Sequence, residues 1–529
     1  MAAAPPSPTP NVLAFQGSST AGNATITNNA GSFVDFSGTS TAGSATITNN
    51  SSLIFQSGTS TAGNATITNN SLLAFASNST GGQAQILTNA GGETDFSAGA
   101  GPLSNNEVTA GSFAGAGSYF LGANQVTIGG NNLSTEVSGV ISDCGPNGTD
   151  CLNPGTTGGS LVKTGTGALT LSGANTYTGG TTVNGGTLAV DGSILSDVTV
   201  NNGGTLSGTG QIGGLTVMSG GIYAPGNSIG TMTVNGAFTL GGGAVYEVEV
   251  NAAGQSDQVI VNGTVNLTGA TLRVLAANGN YNTKTKYTII DNDGSDAVIG
   301  KFAKLTSSLA FLIPTVMYNG GTGNDVVLTL ERIAAVAGGG PLSFCSVANT
   351  SNQCNVAMAL DQFPTDNALF LAVLNQTAEG ARTAFDALSS EIHATVAGVL
   401  SDDSRYVRDA VLGRLMQANV TGGGNTQVAA LAAGGPQVAS LDQQAMALGY
   451  GKSLSAPARE PLAFWTRAYG AWGDFDGDGN AATADRDLGG FVSGMDAQLS
   501  GSWRAGLATG ASFSNVDVDA RYSSAGVET

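Results

Sequence analysis

The sequence predicts a mainly β chain: a parallel β-helix, or solenoid, then a short α-helical segment, then a run of longer antiparallel strands. Three observations predict it. Residues 159–190, GSLVKTGTGALTLSGANTYTGGTTVNGGTLAV, read as short strands of alternating polarity (Ala168–Leu171, Thr181–Val183, Thr187–Val190) broken by Gly, Asn, Ser and Thr turns. None of these strands buries its own apolar face, so each needs a copy stacked on either side, about 4.8 Å away. Nearer the N-terminus a repeat is plain: AGNATITNN from Ala21, AGSATITNN from Ala42, AGNATITNN from Ala62 and a decayed GGQAQILTN near Gly81. Composition completes the picture, with 80 Gly in 529 residues and only 10% charged residues, which suits a turn-rich solenoid better than a disordered chain.

Residues 1–11 are a Pro-rich lead without pattern, expected to be disordered. Over 12–158 the period is near twenty: Phe15, Phe36, Phe55, Phe75 and Phe96 keep step at spacings of 21, 19, 20 and 21. That period carries two short strands and fits one coil of a β-helix. Ile26, Ile47, Ile67 and Ile86 form one expected interior ladder, and the Phe set another. Asn28, Asn49, Asn69 and Asn89 are expected to stack at a corner, where side-chain amides bond along the ladder. Residues 97–158 are less regular and are expected to hold a loop excursion. The pattern resumes over 159–243. Between 244 and 332 the strands lengthen and become more apolar (AVYEVEV, ATLRVLAA, DVVLTLER), as a cap over the last open edge requires.

After Cys354 the period changes. Phe385, Leu388, Ile392, Val396 and Val399 step by three and four, a helical face whose start Asp366 is placed to cap. Ser401 is the expected cap of a second helix, with Asp402 and Asp403 in its first turn and Val407, Val411 and Leu415 on one face. Residues 333–460 are therefore helices plus an Ala/Gly/Gln-rich linker. At 461 strands return: PLAFWTRAYGAWGDF, DLGGFVSGMDAQLSG and SWRAGLATGASFSNVDVDARY. Trp465, Tyr469, Trp472 and Trp503 are candidates for aromatic girdles.

The stretch GSLVKTGTGALTLSGANTYTGGTTVNGGTLAV resembles the passenger-associated transport repeat of bacterial autotransporters. SSEIHATVAGVLSDDSRYVRDAVLGRL is similar to the helical segment before their barrels, and 461–529 to the start of the barrel itself. The resemblance implies an exported right-handed parallel β-helix passenger. It makes 244–332 an autochaperone-like cap and 461–529 the N-terminal part of an incomplete outer-membrane β-barrel. It also implies the outer membrane and its barrel-assembly machinery as partners, and an extracellular passenger. MAAAPPSPTPNVLAF shows neither a basic segment nor an apolar core of a signal peptide. About three strands do not close a barrel. The chain is therefore expected to be truncated at both ends.

With 17 Lys plus Arg against 36 Asp plus Glu, the net charge of −19 argues against nucleic-acid binding. The four Cys fall in two close pairs, Cys144/Cys151 and Cys345/Cys354; neither spacing is that of a zinc site, and they are disulfide candidates formed in an oxidising compartment. Gly226–Gly230 (GNSIG) fits a nucleophile-elbow pattern around Ser228, but its context is turn–strand in a solenoid and the single His, His393, sits on an expected helix elsewhere. Gly320–Leu328 fits a nonapeptide calcium repeat once and reads more simply as a hairpin turn. Asp474, Asp476, Asp478 and Asp485 fit calcium-loop spacing between strands rather than helices, and read as a hairpin with weak calcium potential. Arg405, Arg408 and Arg414 with Asp402, Asp403 and Asp409 fit either barrel-lumen contacts or a solvated helix face.

No catalytic residue, resident metal or cofactor is expected, and the protein is expected not to be an enzyme. The function expected is autotransporter-type secretion and surface display of a β-helical passenger, adhesin-like or otherwise binding, with a possible ligand on host or other cell surfaces. The alternatives are a passenger enzyme, esterase or protease, and a truncated, non-functional fragment.

Overall fold

A computed structural model describes residues 11–145, 148, 150–332, 343–420, 427–428, 462–500, 503–521 and 523–529. The chain divides into two compact units, 1–336 and 337–529. The linker expected within 421–460 lies, apart from the two residues Gln427–Val428, outside the described residues.

The first unit is a parallel β-helix. Strand pairing follows the repeat: Thr25–Asn28 pairs with Thr46–Asn49, that with Thr66–Asn69, and that with Gln85–Thr88, all parallel and in register. Phe15, Phe36, Phe55, Phe75 and Phe96 form one column of stacked rings, with centroids 4.5, 4.7, 5.0 and 4.8 Å apart. These spacings are the rung distance of parallel strands, so the sequence period becomes one coil per repeat. Offset parallel rings add about 0.5–1.5 kcal/mol per pair beyond their burial. A third side begins as single bridges, Thr20–Thr41–Thr61–Thr80, and grows into a continuous sheet from Glu107–Thr109 onward.

The corner ladder differs from the expectation at its last member. Asn28 Nδ2 donates to Asn49 Oδ1 (2.7 Å) and Asn49 Nδ2 to Asn69 Oδ1 (2.8 Å). The next interior position is Thr88, because Asn69 pairs with Thr88. Asn89 belongs instead to an exposed row, in which Asn70 Nδ2 donates to Asn50 Oδ1 and Asn89 Nδ2 to Asn70 Oδ1. The decayed repeat has lost one Asn, and with side chains alternating at period two a one-residue offset moves the next Asn to the other face. The irregular stretch is also shorter than expected. Strands continue the coils through Val140–Ser142, and the excursion is confined to the segment holding Cys144 and Cys151.

At the C-terminal end the pairing changes sense. Lys284–Asn292 still stacks in parallel on Gln258–Val261, but Asp325–Glu331 joins it antiparallel, and Ile313–Gly320 joins that strand antiparallel. Two strands linked by a tight turn occupy the edge that a further coil would have used. Val326, Leu328 and Leu330 are fully buried there.

The second unit begins with α1 (Ser351–Leu360), α2 (Ala368–Leu374), α3 (Ala378–Leu388) and α4 (Glu391–Val420). Three expectations are corrected. Asn367, not Asp366, caps α2, its side chain accepting from the Leu369 and Phe370 amides. Phe385 and Leu388 lie on α3, whereas Ile392, Val396 and Val399 lie on α4, because Ser390 adopts φ +54° and breaks the helix between them. Ser401 lies inside the 30-residue α4 and caps nothing; the helix runs on through Gly398, and no Pro stops it there.

Against α4 lies an antiparallel sheet of long strands, Leu462–Phe475, Ala484–Ser500 and Trp503–Val518, with a shorter fourth, Ser523–Glu528. The fourth escaped the sequence reading because SSAGVE carries a single large apolar residue. Alternation separates the four girdle candidates. Trp472 and Trp503 are exposed, with Trp503 at 75%. Trp465 and Tyr469 take the opposite face and pack with Tyr406, Ala410 and Leu488. Among the described residues no helix is long and apolar enough to cross a membrane, which says nothing of a β-barrel.

Candidate functional site

Charged residues buried in the solenoid mark where its coils are pinned. Lys163 follows Leu161 at the same inward parity and is 1% exposed. Its ammonium donates to the carbonyls of Thr164 (2.7 Å) and Gly185 (3.2 Å), tying two coils of the transport-repeat stretch together; burial lowers its pKa. In the same stretch Asn175 accepts from the Ile141 amide and donates to the Ser193 carbonyl, spanning three coils. Tyr177 Oη and Thr181 Oγ1 are hydrogen-bonded at 2.5 Å, and burial pushes the Tyr177 pKa up. Asp143 holds the preceding excursion in place: its carboxylate accepts from the Gly158, Gly159 and Thr178 amides and from Thr178 Oγ1.

Cys144 and Cys151 are bonded, as are Cys345 and Cys354. The first bridge packs on Phe120. The loop is tied down again by the Leu152 N–H donating to Asp95 Oδ2 (2.6 Å) and the Asn153 N–H to Ser97 Oγ (3.0 Å). Between loop and sheet lies a cleft of about 660 Å³ lined by Glu93, Ser118, Ser142, Asp143, Asp150 and Thr178, among others. Burial raises the Glu93 pKa, and the neighbouring Asp150 and Asp95 add to it.

Ser228 sits in a turn between the strands Ile222–Pro225 and Thr231–Val234, with Gly226 at φ +94°. The turn is fastened by Asp257, whose Oδ1 accepts from the Gly230 amide (2.9 Å) and whose Oδ2 accepts from the Glu249 amide (2.7 Å). Burial pushes the Asp257 carboxyl up to about 7, against the two amide donors and with Glu249 and Glu247 adding repulsion. The adjoining cavity, about 270 Å³, is lined by Ser207, Asn227, Ser228, Glu247, Glu249 and Asp257, among others. A nucleophilic serine needs a base within hydrogen-bond reach. The lining offers carboxylates and no imidazole; His393 lies on α4, in the other unit.

Gly320–Leu328 forms the hairpin turn of the cap, with Asp325 Oδ2 accepting from the Thr322 amide (3.2 Å) and Asp325 Oδ1 from the Asn292 amide (3.2 Å). In the second unit Asp474 and Asp485 face each other across the first long hairpin. Asp478 accepts from the Asn480 and Ala481 amides. Among the described residues no three acidic, His or Cys side chains form a group that could hold a metal.

The α4 charges divide between the two readings. Arg414 donates to Asp496, which also receives Arg504 (each Nε–O 2.7 Å). Arg486 reaches Asp402 (2.9 Å) and Asp403 (2.8 Å). These pairs fasten the helix to the strands and are mostly buried. Arg408 and Asp409, by contrast, pair with each other at an exposed position, and Arg405 pairs along the helix with Asp402. Parity along 161–163 made Lys163 findable. Asp143 and Asp257 bind amides distant in sequence and carried no local signal, and Asp95 joins the amide two residues on, that of Ser97, to the amide of Leu152 57 residues away.

Two family profiles match the chain: Passenger-associated-transport-repeat over residues 161–190 and Autotransporter beta-domain over residues 464–529. Two curated relatives from Serratia marcescens, each named Extracellular serine protease, are similar over most of it. One is 30% identical over 416 residues, covering 69% of this chain and 36% of the relative. The other is 27% identical over 403 residues, covering 66% and 34%. The chain thus spans about a third of the length of the relatives it matches. These names overturn the expectation that the protein is not an enzyme. That expectation leaned on a single His, and a span matching a third of a relative is no basis for excluding catalysis. The transport repeat inside a β-helix, and the β-domain strands fastened to a preceding helix, place the chain among the bacterial autotransporters.

Proposed function

We propose that the passenger exported by this autotransporter acts as an extracellular serine protease, with the β-helix described above as the stalk that folds outside the cell and carries the activity. The observation that carries the reading is the similarity to the two Serratia marcescens proteases over two thirds of the chain. The strands of the second unit enter the outer membrane with the help of the barrel-assembly machinery, and the passenger stands at the cell surface. Both disulfides form before export, in an oxidising compartment.

The test is to express the complete reading frame in a Gram-negative host, confirm surface display by shaving with added protease, and assay washed cells and medium for casein hydrolysis and fluorophosphonate labelling. Labelling that survives Ser228→Ala supports the reading with the nucleophile elsewhere than in the Gly226–Gly230 turn. A fully displayed passenger with neither hydrolysis nor labelling refutes it. Adhesin-like binding is the second reading. It is favoured by the outward row Asn50, Asn70 and Asn89, which repeats at the rung spacing and suits a repetitive surface ligand. Cell-binding assays with the displayed passenger distinguish the two.

A further inference from the structure

We propose that the N-terminal face of the solenoid is a docking surface for one further coil of the chain's own repeat, a parallel strand carrying Asn at the ladder position. The interior ladder is directional. Each Asn donates toward the C-terminal side: Asn28 to Asn49 Oδ1 and the Ser52 carbonyl, Asn49 to Asn69 Oδ1 and the Leu72 carbonyl. Every carboxamide oxygen along it therefore waits for a donor from the coil before. Asn49 and Asn69 have that donor. Asn28 does not: the residue is 2% exposed, and its Oδ1 is inaccessible to water and without a hydrogen-bond partner. A buried acceptor in that state destabilises the coil that carries it.

The apolar columns end in the same unfinished way. Leu13 is in register with Val34, which is in register with Leu53 and then Leu73. Those three are buried, whereas Leu13 is 44% and Val12 60% exposed. Among the described residues Phe15 stacks on Phe36 on one side only. The strands Val12–Phe15 and Thr25–Asn28 are the terminal strands of their sheets, with one row of backbone groups open to pairing.

The occupant follows from the chemistry. It must bring an N–H donor to Asn28 Oδ1, an apolar residue over Leu13 and a ring over Phe15, in parallel register. The repeat supplies all three. A second copy docked about a two-fold axis does not, because both protons of its own Asn28 Nδ2 are already used within its own ladder. The sequence of residues 1–10, MAAAPPSPTP, contains no Asn and no aromatic residue.

The experiment inserts a duplicate of residues 31–50 directly before Asn11 in the full-length chain, so that the Asn49-equivalent precedes Val12 by three residues as Asn49 precedes Ser52, and follows hydrogen exchange by mass spectrometry. Exchange across Val12–Phe15 and Thr25–Asn28 is expected to slow about tenfold or more, while Thr66–Asn69 keeps its rate as the control for an intact fold. The same insert with the Asn49-equivalent changed to Ala is expected to protect clearly less. Equal protection by both inserts, or none by either, overturns the proposal. So does protection in the parent chain that vanishes on deleting residues 1–10, or that rises with protein concentration, which would identify the lead or a second copy as the occupant.

Discussion

Substituting Asn49 by Ala separates the interior ladder from its exposed counterpart. Asn49 stands at the middle of the interior row, accepting from Asn28 and donating to Asn69 Oδ1 and the Leu72 carbonyl at 2.7–2.8 Å. The methyl group of Ala replaces none of these, and all three partners lose a bond in a place water does not reach. Leaving a buried polar group unpaired costs about 1–3 kcal/mol. Asn28 Nδ2 keeps its bond to the Ser52 carbonyl and Asn69 Oδ1 a longer one from the Ser71 amide at 3.4 Å, so the low end applies and the sum is about 3 kcal/mol. Asn70→Ala removes two links, to Asn50 and Asn89, but on the exposed face, where water replaces them; about 0.5 kcal/mol is expected. Because each coil touches only its neighbours, the loss is local. Opening of the Thr46–Asn49 and Thr66–Asn69 strands, read by hydrogen exchange, is expected to rise more than about fiftyfold for Asn49→Ala and at most about threefold for Asn70→Ala, with about 1.4 kcal/mol to each decade. Equal opening in the two variants would falsify the claim that buried amide satisfaction, rather than stacking in general, holds the N-terminal coils together.

Four further outcomes follow from the same contacts. The Asp257 carboxyl is held up to about 7, whereas an unfolded Asp ionises near about 3.9; the folded chain keeps a proton the unfolded chain releases, so this contribution to stability is full below about pH 4 and fades as the pH rises through 7. Urea midpoints of the first unit measured across that range are expected to fall with a slope that Asp257→Asn flattens. Reducing Cys144–Cys151 is expected to speed exchange at the Leu152 and Asn153 amides, which bond Asp95 and Ser97, and to leave the Thr66–Asn69 rung unchanged. Asp496→Ala removes the carboxylate shared by Arg414 and Arg504; a loss of about 3–5 kcal/mol is expected for so buried a group, seen as faster tryptic cleavage after Arg414. Leu328→Ala, at a fully buried position of the cap, is expected to cost about 2–5 kcal/mol and to slow refolding of the first unit, which pulse-labelling hydrogen exchange of its strands reads.

The solenoid was legible because its physics is local and periodic. A column of Phe at spacings of 19–21 names the coil length directly, and the rings do stack. What escaped was whatever depends on a single residue's phase or on a distant partner. Asn89 was placed one position out because the fourth repeat had replaced the interior Asn by Thr88. The break between α3 and α4 depends on one positive φ at Ser390, which spacing does not reveal. Trp465 and Tyr469 were read by residue type as girdle members, whereas strand parity turns them toward α4. The buried carboxylates of Asp143 and Asp257 are fixed by amides 15 to 35 and 8 to 27 residues away, and no local pattern announces such partners.

The two ends of the solenoid are chemically unlike, and that gives the fold a direction. At the C-terminal end an antiparallel hairpin closes the edge through contacts between near neighbours, Ile313 with Glu331 and Gly320 with Asp325. Such short-range pairing forms quickly and needs no template. Every coil before it pairs with strands about twenty residues away on either side, so in a chain that emerges cap first a coil makes its first inter-coil hydrogen bonds to the one on its C-terminal side. The Asn ladder carries the same polarity, since a finished coil presents a buried carboxamide oxygen and the incoming one supplies the donor. A chain emerging with the cap first can therefore add coils one at a time, each addition satisfying an acceptor that its predecessor left open. Sliding back would expose that acceptor together with a Phe and an Ile of the core columns, each worth about 1.5–3 kcal/mol of burial. For a chain that emerges cap first, folding outside the pore opposes return by the burial and the amide hydrogen bonds that each added coil contributes.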